Sequence, residues 1–546
     1  MKLNRMEGYT MSSLMKGTAI LTIGLFLSKL LGLIYIFPFY AIVGEENIGL
    51  YQYAYIPYNI MLSIAIAGLP VAVSKFVSKR NALGDFDAGR RLVKTGALLM
   101  IVTGIISFIA VNLLADPLAH VVIKDDDQRF TTDQVATIIR WVSYAILVVP
   151  FMSLIRGFMQ GYGHFLPTSV SQLIEQLGRI AFLLGASFII VKVMKGDPIM
   201  AVNLSVFAAF IGALFGLVVM YYYWKKLKPE IQGIQAQGVN GEKLAYGEMY
   251  KEVFRYAIPV VFVGLANSLF QLIDMLTFNR TMVSIGLASV TDDYFTMINF
   301  LTHKIVIIPV MLATGFSMAL IPTITKLYTE RNTNGLRVAM DKTYQVLLFI
   351  TVPASIGITL LARELYFVLY SESTMGTEVL AHYAPVAILF ALFSVTAALL
   401  QGIDRQKWLV LSLLIGLLVK TVTNIPFIKL FEADGAIMAT ALGYIVTVVM
   451  NIIVISKTTN YRSKIVQRRI MLIMILTAIM AAVVLLVKTV LYAIAPADTK
   501  LMALLYALIC AAIGGAVYAF FAFKLGLAQK LLGEKITRLA AKFGFK

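Results

Sequence analysis

Long apolar runs alternate with short charged segments along almost the whole chain, from about residue 14 to Phe523. A membrane-spanning helix needs about 20 apolar residues, because each residue adds only about 1.5 Å of length. The pattern therefore predicts an all-α polytopic membrane protein of about fourteen transmembrane helices. The predicted spans are 14–42, 50–78, 92–114, 136–161, 167–191, 200–224, 253–279, 294–325, 342–362, 379–402, 408–429, 435–456, 470–493 and 501–523.

The amino-acid composition is typical of an integral membrane protein. Of its 546 residues, 59% are hydrophobic and only 14% are charged, unlike a soluble globular protein. No segment between the apolar runs is long enough for a soluble enzyme domain. The first run has no evident small-residue cleavage site, so we expect it to be retained as a helix. The single cysteine, Cys510, excludes an intramolecular disulfide and a cysteine-rich metal site.

The net charge of +18 would suggest a nucleic-acid partner in a soluble protein. Its distribution suggests otherwise, because inner loops carry about 31 Lys and Arg residues and outer loops about eight when the N-terminus is placed inside. Cytoplasmic loops of membrane proteins show this excess of cations. The charge distribution therefore predicts a membrane protein with both termini in the cytoplasm, and no nucleic-acid partner.

Three correspondences, in the same order, relate the two halves of the chain and predict a duplication of six helices, with two helices added. They pair 156–161 with 398–402, 69–75 with 321–326, and 90–94 with 337–342. An even number of helices per repeat makes the copies parallel, so we expect two lobes with a site between them. The predicted divisions are an N-lobe at 1–228, a cytoplasmic linker at 229–252, a C-lobe at 253–456, and helices 13 and 14 with a cytoplasmic tail at 457–546.

Ionisable side chains within apolar runs cost about 2.5 to 3.5 kcal/mol each to insert, so they usually face a cavity or a partner. Lys29 lies near the middle of the first span, and Lys304 with His303 near the middle of the eighth. These spans correspond in the two lobes, which suggests a cavity for an anionic substrate. The alternative is that each lysine snorkels or bonds a carbonyl, and that His303 is neutral and packed.

Two further groups of polar residues occur within predicted spans. Glu175 and Arg179 have the i, i+4 spacing that places them on one helix face, where they either form a structural ion pair or contact substrate. Arg156, close to the inner end of the fourth span, is expected to snorkel to the cytoplasm.

Asp274 in the seventh span needs a nearby cation, since an isolated buried carboxylate is costly. One candidate is Lys420, as a fixed ion pair. The other is Na⁺ bound by Asp274, Asn424 and Thr440, or proton linkage at the same oxygen ligands.

Tyrosines at 51, 53, 55 and 58 open the second span. Interface anchoring is the default explanation for such a cluster, and a sugar-contacting wall is the alternative. The sequence contains neither a Walker A nor an H-E-x-x-H pattern. We therefore expect no enzyme activity and no cofactor, with Na⁺ or H⁺ coupling, substrate gradients or membrane potential supplying any driving force.

The run from 156–161 through Pro167 to 171–179, with the fourteen predicted helices and their repeat, resembles the polysaccharide exporters of the multidrug/oligosaccharidyl-lipid/polysaccharide (MOP) superfamily. The resemblance covers essentially the whole chain. The run is similar to the branch with stage V sporulation protein B and Gram-positive lipid II flippases of the MurJ (YtgP) type. It implies a MATE-like fold whose two lobes form a V-shaped cavity, lined by helices 1, 2, 7 and 8, with helices 2 and 8 at a lateral portal. Helices 13 and 14 would help form a groove for an undecaprenyl tail.

The resemblance also implies functional residues. A family cation in Ser-Arg-x-x-Gly matches Lys29 of 28–32, and another, five residues before a proline, matches Lys304. Two further family arginines fall at Tyr35 and Tyr55, a loss for which Arg179 or His303 could compensate. The expected substrate-binding residues are Lys29, Lys304, His303, Arg179, Glu175 and Tyr55. The family's sodium ligands match Asp274, Asn424 and Thr440, with Lys420 where another ligand is expected, so the Lys420 ammonium is predicted to replace the ion.

The resemblance, together with the two central cations, implies flipping of lipid II, the undecaprenyl-diphosphate-linked peptidoglycan precursor, by alternating access in the bacterial inner membrane. Its partners would be this lipid, other membrane lipids and the cell-wall synthesis machinery. The alternatives are a flippase for another undecaprenyl-linked polysaccharide, a cation-coupled multidrug antiporter, and a membrane assembly or signalling component without transport activity.

Overall fold

The computed structural model describes residues 24, 27–28, 30–66, 69–82, 85–124, 128–235, 245–461 and 464–532. Helices joined by short turns account for most of this part of the chain, and it contains no strand. The all-α fold class is confirmed. Lys29 lies outside the described residues.

The chain divides into two compact units, Met1–Arg280 and Thr281–Lys546. The helices up to the unit boundary are α1 Ile36–Val43, α2 Glu45–Ile66, α3 Leu69–Ala82, α4 Phe86–Val122, α5 Thr132–Gly161, α6 Leu166–Phe188, α7 Pro198–Gln235 and α8 Tyr246–Ser284, which crosses it. The division into lobes and linker that the sequence predicts stays a prediction.

The second unit continues with helices of more varied length. They are α9 Ala288–Thr296, α10 Thr302–Thr329, α11 Thr333–Leu360, α12 Ala362–Leu369, α13 Thr374–Tyr383, α14 Val386–Gly402, α15 Gln406–Thr459, α16 Lys464–Ile494, α17 Lys500–Lys524 and α18 Leu527–Leu532. Single π-helical turns at Ile189–Val193 and Met297–Leu301 extend α6 and precede α10.

Eleven helices of the described chain are long and apolar enough to cross a membrane. One of them, α15, has 54 residues and contains a non-helical residue, Glu432, with φ 53° and ψ −128°. A straight helix of that length would extend about 80 Å, far beyond a hydrocarbon core of about 30 Å. The chain therefore bends back at Glu432, and two predicted spans become the arms of one hairpin. The protein is a multi-pass membrane protein, and the count of fourteen stays a prediction.

Polar caps fix where several helices begin. Side chains of Asp85, Thr131, Asn332, Ser373 and Thr499 each accept a hydrogen bond from a backbone N–H of the first turn. Thr131 and Gln134 form a complete capping box at α5. Such caps satisfy N–H groups that the first turn of a helix leaves without a partner.

Small residues let the two arms of the α15 hairpin pack closely. A methyl group on Gly416 would overlap the Thr447 hydroxyl and lie 2.6 Å from the Gly443 carbonyl oxygen. One turn away, the Ser412 hydroxyl donates to Asn451 at 2.5 Å, and the Asn451 amide donates to Thr396 of α14 at 3.1 Å. Membrane helices associate through this combination of close backbone approach and interhelical hydrogen bonds.

Candidate functional site

A buried ion pair joins α5 to α6 in the first unit. The guanidinium of Arg156, only 6% exposed, donates to the Glu175 carboxylate at 2.7 Å and to the Ser171 hydroxyl at 2.6 Å. The snorkelling predicted for Arg156 is therefore wrong. Glu175 also does not form the ion pair with Arg179 that their spacing allows, because its carboxylate points to α5. Gly216 of α7 leaves room for this contact, since a Cβ there would lie 3.1 Å from the guanidinium.

Arg179, one turn further along α6, belongs to a different cluster. It donates to the Tyr51 hydroxyl at 3.1 Å, and its guanidinium carbon lies 5.0 Å from the centroid of the Tyr55 ring. The rings of Tyr51 and Tyr55 stack with centroids 4.4 Å apart, and the Tyr51 hydroxyl is 2.7 Å from that of Tyr35. We call Tyr35, Tyr51, Tyr55 and Arg179 the arginine–tyrosine cluster. Its guanidinium is held by a cation–π contact and a hydrogen bond together.

The tyrosines at the start of the second predicted span do not form an interfacial belt. Tyr51, Tyr53 and Tyr58 are 1%, 0% and 5% exposed. The Tyr53 hydroxyl accepts a hydrogen bond from Asn279 of α8 at 2.6 Å. The predicted anchoring is wrong for these three residues, because side chains in a lipid head-group layer would be exposed at the protein surface.

In the second unit, His303 and Lys304 follow the π-helical turn at Met297–Leu301 and point into different surroundings. His303 is buried, and its Nδ1 lies 2.9 Å from the Tyr383 hydroxyl. The Lys304 side chain is half-buried, with its ammonium 5.4 Å from the centroid of the Phe300 ring. A π-helical turn offsets the faces of a helix and often marks a functional position. Lys304 is thus the accessible cation of this pair.

Lys420 lies in the first arm of the α15 hairpin and is fully buried. Its ammonium donates to the Ala436 carbonyl at 2.9 Å and to the Thr440 hydroxyl at 2.8 Å, both in the second arm. Asn424, one turn along the first arm, is also fully buried, and Asp274 is 3% exposed in α8 of the first unit.

A sodium ion at the predicted ligands would need the Thr440 hydroxyl oxygen, which already accepts from the Lys420 ammonium. A second cation at the same oxygen would be repelled by the ammonium a few Å away. These residues therefore fit an internal ammonium better than a bound Na⁺. In the part of the chain that the structure describes, no three His, Cys, Asp or Glu residues are grouped as a metal site would require.

Sequence spacing missed the partners that define these sites. His303 meets Tyr383, which is 80 residues away in sequence. Lys420 meets the Ala436 carbonyl, which is 16 residues away and lies in the other arm of α15. Nothing in a single sequence pairs such positions. The repeat at 398–402 indicated a duplication of helices, but it did not indicate which side chains meet.

The fold is that of the MOP-superfamily transporters. The chain superposes on the inward closed conformation of the lipid II flippase MurJ with a TM-score of 0.63 at 13% identity, covering 93% of this chain and 99% of that one. It superposes on an inward-facing multidrug resistance MATE family transporter with a TM-score of 0.60 at 15% identity, covering 79% of this chain and 94% of that one.

Residues 14–328 match the family model described as polysaccharide biosynthesis protein, and the chain belongs to this family. Among curated proteins it is 44% identical over 531 residues to the lipid II flippase MurJ of Bacillus subtilis (strain 168), covering 96% of this chain and 98% of that protein. It is 22% identical over 441 residues to stage V sporulation protein B of the same organism, covering 80% and 81%.

Proposed function

We propose that the protein is a lipid II flippase, which moves the undecaprenyl-diphosphate-linked peptidoglycan precursor from the cytoplasmic to the outer leaflet. The observation that carries this function is the 44% identity to a lipid II flippase over 96% of the chain. The fold supports it, since two transporters of the superfamily match over most of their length. Flipping forms and breaks no covalent bond, so the protein is a transporter and not an enzyme.

Lys304 and Arg179 are the described cations best suited to the carrier diphosphate. A diphosphate is the most localised negative charge of such a lipid, and guanidinium and ammonium groups bind phosphate oxygens with charge-assisted hydrogen bonds. Lys304 is a half-buried residue whose ammonium lies 5.4 Å from the centroid of the Phe300 ring. Lys29, which the sequence analysis also predicts to bind substrate, is the third proposed cation.

Arg179 offsets the loss of two family arginines. Those arginines fall at Tyr35 and Tyr55, and the arginine–tyrosine cluster brings the Arg179 guanidinium onto the Tyr55 ring and next to the hydroxyl that bonds Tyr35. A cation supplied from α6 thus takes the place of cations on the first two predicted spans. Glu175 belongs to the Arg156 ion pair, so its proposed role is to hold α6 in position and not to bind substrate.

The proposed energy source is the membrane potential or the substrate gradient, without sodium. The Lys420 ammonium already holds the Thr440 hydroxyl and the Ala436 carbonyl, so it supplies the positive charge that a coupling ion would bring. These two hydrogen bonds offset part of the hydration that the buried ammonium has lost.

The proposed location is the bacterial cytoplasmic membrane, with both termini in the cytoplasm. The excess of Lys and Arg in alternate loops supports this orientation. Lipid II would then enter from the cytoplasmic leaflet, on the side with the excess of Lys and Arg. Its polyprenyl tail would stay in lipid while the head group crosses.

Labelled lipid II translocation in proteoliposomes tests the proposal, comparing the parent with the Lys29→Ala/Lys304→Ala double variant. Each cation should contribute about 1 kcal/mol or more to the interaction with the diphosphate, so loss of both should slow flipping by about tenfold or more. Lys326→Ala is the matched control, since Lys326 lies on the same helix but is highly exposed and bonds only Glu330 in an i, i+4 pair. Normal flipping by the double variant would reject the cation mechanism.

Failure of the parent protein to flip lipid II would reject the function itself. Flipping of another undecaprenyl-linked glycan by the same proteoliposomes would then favour the wider class of exporters. Efflux of an organic cation would favour drug antiport, and no transport of any of these would favour an assembly or signalling role.

A further inference from the structure

A cavity of about 640 Å³ opens among three helix ends of the first unit, away from the residues discussed so far. Arg90 and Lys94 come from the first turns of α4, and Lys228 from the last turns of α7. All three side chains are exposed. The cavity therefore has a mouth with three positive charges.

The floor of the same cavity is apolar and aromatic. Phe158, near the end of α5, is 2% exposed, and its ring centroid is 5.6 Å from that of Trp224. Ile231, 5% exposed, completes this floor, and all three residues belong to or pack on one hydrophobic core cluster. Cations at the mouth and buried rings below give the cavity one charged end and one apolar end.

The three cations have no anionic partner within the described part of the chain. Arg90, Lys94 and Lys228 form neither ion pairs nor hydrogen bonds there. The nearest carboxylate along α7, Glu230, instead faces His164 at 3.7 Å. Neighbouring cations do have partners, as Lys79 and Arg80 both bond Glu252. Three cations that line one cavity without a counter-charge favour an external anion.

The order of the helices places the cavity on the proposed cytoplasmic side of the first unit, near the ends of its candidate spans. Consecutive membrane helices alternate in direction, so the start of α4, the end of α5 and the end of α7 lie on one side of the membrane. Arg90 is the third residue of its candidate span, Ala88–Val122, and Lys228 precedes the end of the span Pro198–Gly233. The ends of membrane spans lie near the phosphate groups of the bilayer. Each basic residue close to an anionic membrane surface strengthens binding by about fivefold.

We propose that this cavity is a binding site for a phosphate group, supplied by the head group of an anionic membrane lipid. The cations would bind the phosphate oxygens, and the floor of Phe158, Trp224 and Ile231 would receive the apolar part of the lipid. The excess of basic residues on one membrane side explains why cations are present. It does not explain why three of them share a cavity with a buried aromatic floor. The proposal is independent of which lipid the protein flips.

Native mass spectrometry of the full-length protein in detergent, titrated with phosphatidylglycerol, tests the site. Removing two charges in Lys94→Gln/Lys228→Gln should weaken phosphatidylglycerol binding by about tenfold or more. Lys225→Gln/Lys226→Gln is the matched control, because it removes the same charge from α7. Lys225 lies over the Tyr221 ring, 4.8 Å from its centroid, and neither residue lines the cavity. Thermal melting of each variant checks that it folds.

Weaker binding in the cavity pair with normal binding in the control pair supports the site. An equal loss in both pairs, or equal binding of zwitterionic phosphatidylcholine, would overturn it, because the effect would then be general surface charge or general lipid contact. Glycerol phosphate is the soluble arm. Binding of phosphatidylglycerol but not of glycerol phosphate to the parent identifies a lipid as the source of the phosphate. Binding of glycerol phosphate to the same extent identifies a soluble phosphate ester and would overturn the lipid assignment.

Discussion

The ammonium of Lys420 donates to the hydroxyl of Thr440 at 2.8 Å across the two arms of one helical hairpin. Both side chains are almost completely buried. A fixed positive charge therefore bonds Thr440, one of the three residues that the sequence resemblance matches to sodium ligands.

If the Lys420 ammonium replaces a coupling ion, the flipping rate of the parent protein should not depend on sodium. Lys420→Met keeps much of the side-chain volume but removes two hydrogen bonds, at a cost to stability of about 1 to 3 kcal/mol. We expect parent flipping to be the same in sodium chloride and choline chloride. Calorimetric or radiotracer sodium binding to the parent, abolished by Asp274→Asn, would contradict the idea that Lys420 replaces the ion.

The arginine–tyrosine cluster predicts a ranking of flipping rates. Arg179→Ala removes the cation and should slow lipid II flipping by about tenfold or more. Arg179→Lys keeps the charge but loses the planar stacking on Tyr55, so an intermediate rate is expected. Tyr51→Phe, which removes only one hydroxyl, should have the smallest effect in the proteoliposome assay. Equal rates in all three variants would exclude a substrate role for this cluster.

The ion pair of Arg156 and Glu175, in which the arginine is buried and the glutamate half-buried, predicts a loss of stability when one partner is removed. Arg156→Met should lower the stability of the folded protein by about 1 to 3 kcal/mol, because the Glu175 carboxylate would lose its counter-charge. Arg140→Gln is the control, since it breaks an exposed pair with Asp116 and should cost less than about 1 kcal/mol. Thermal melting in detergent measures both. Adding Glu175→Met to Arg156→Met should recover part of the loss, and no difference between the two arginine variants would refute the argument.

Close packing within the α15 hairpin predicts opposite outcomes for two glycines. Gly416→Ala should destabilise the protein by about 1 to 3 kcal/mol, since the new methyl group would meet the Gly443 carbonyl and the Thr447 hydroxyl. Gly515→Ala in α17 should be neutral or slightly stabilising, because a Cβ there meets no heavy atom within 4 Å. The two melting temperatures provide the comparison. Equal stability of both variants would show that the arms can separate at little cost.

The ion pairs of Glu252 should make a contribution to folding stability that depends on pH and is lost in acid. Burial alone would raise the pKa of Glu252, but hydrogen bonds from Lys79 and Arg80 outweigh burial and lower it. A carboxyl with a lowered pKa stabilises the folded state fully above its unfolded pKa of about 4.3, and this contribution is lost as the pH falls through the folded pKa.

The parent should therefore melt at a higher temperature than Glu252→Gln near neutral pH, and the difference should shrink at acidic pH, below the unfolded pKa. Glu248→Gln is the control, because Glu248 is an exposed carboxylate in the first turn of the same helix. A difference between parent and Glu252→Gln that persists unchanged at the lowest pH would contradict the assignment.

The sequence predicted the fold well because the main signal is a length requirement. Apolar runs of about 20 residues must be helices in a bilayer, where every backbone polar group needs an internal partner. The site was harder to predict. Spacing correctly placed Glu175 and Arg179 on one helix, but it could not show that Gly216 leaves room for Arg156 to reach Glu175. The tyrosines were misassigned for a related reason, since composition does not distinguish a face turned to lipid from one turned to α8.

The α15 hairpin has a mechanical consequence. Its arms are joined at Ser412 with Asn451, at Gly416 with Thr447, and at Lys420 with Thr440, so contacts recur at three successive turns of the first arm. Sliding of one arm along the other would break all of these contacts together. Around these turns the two arms should therefore move as one body when the protein changes conformation.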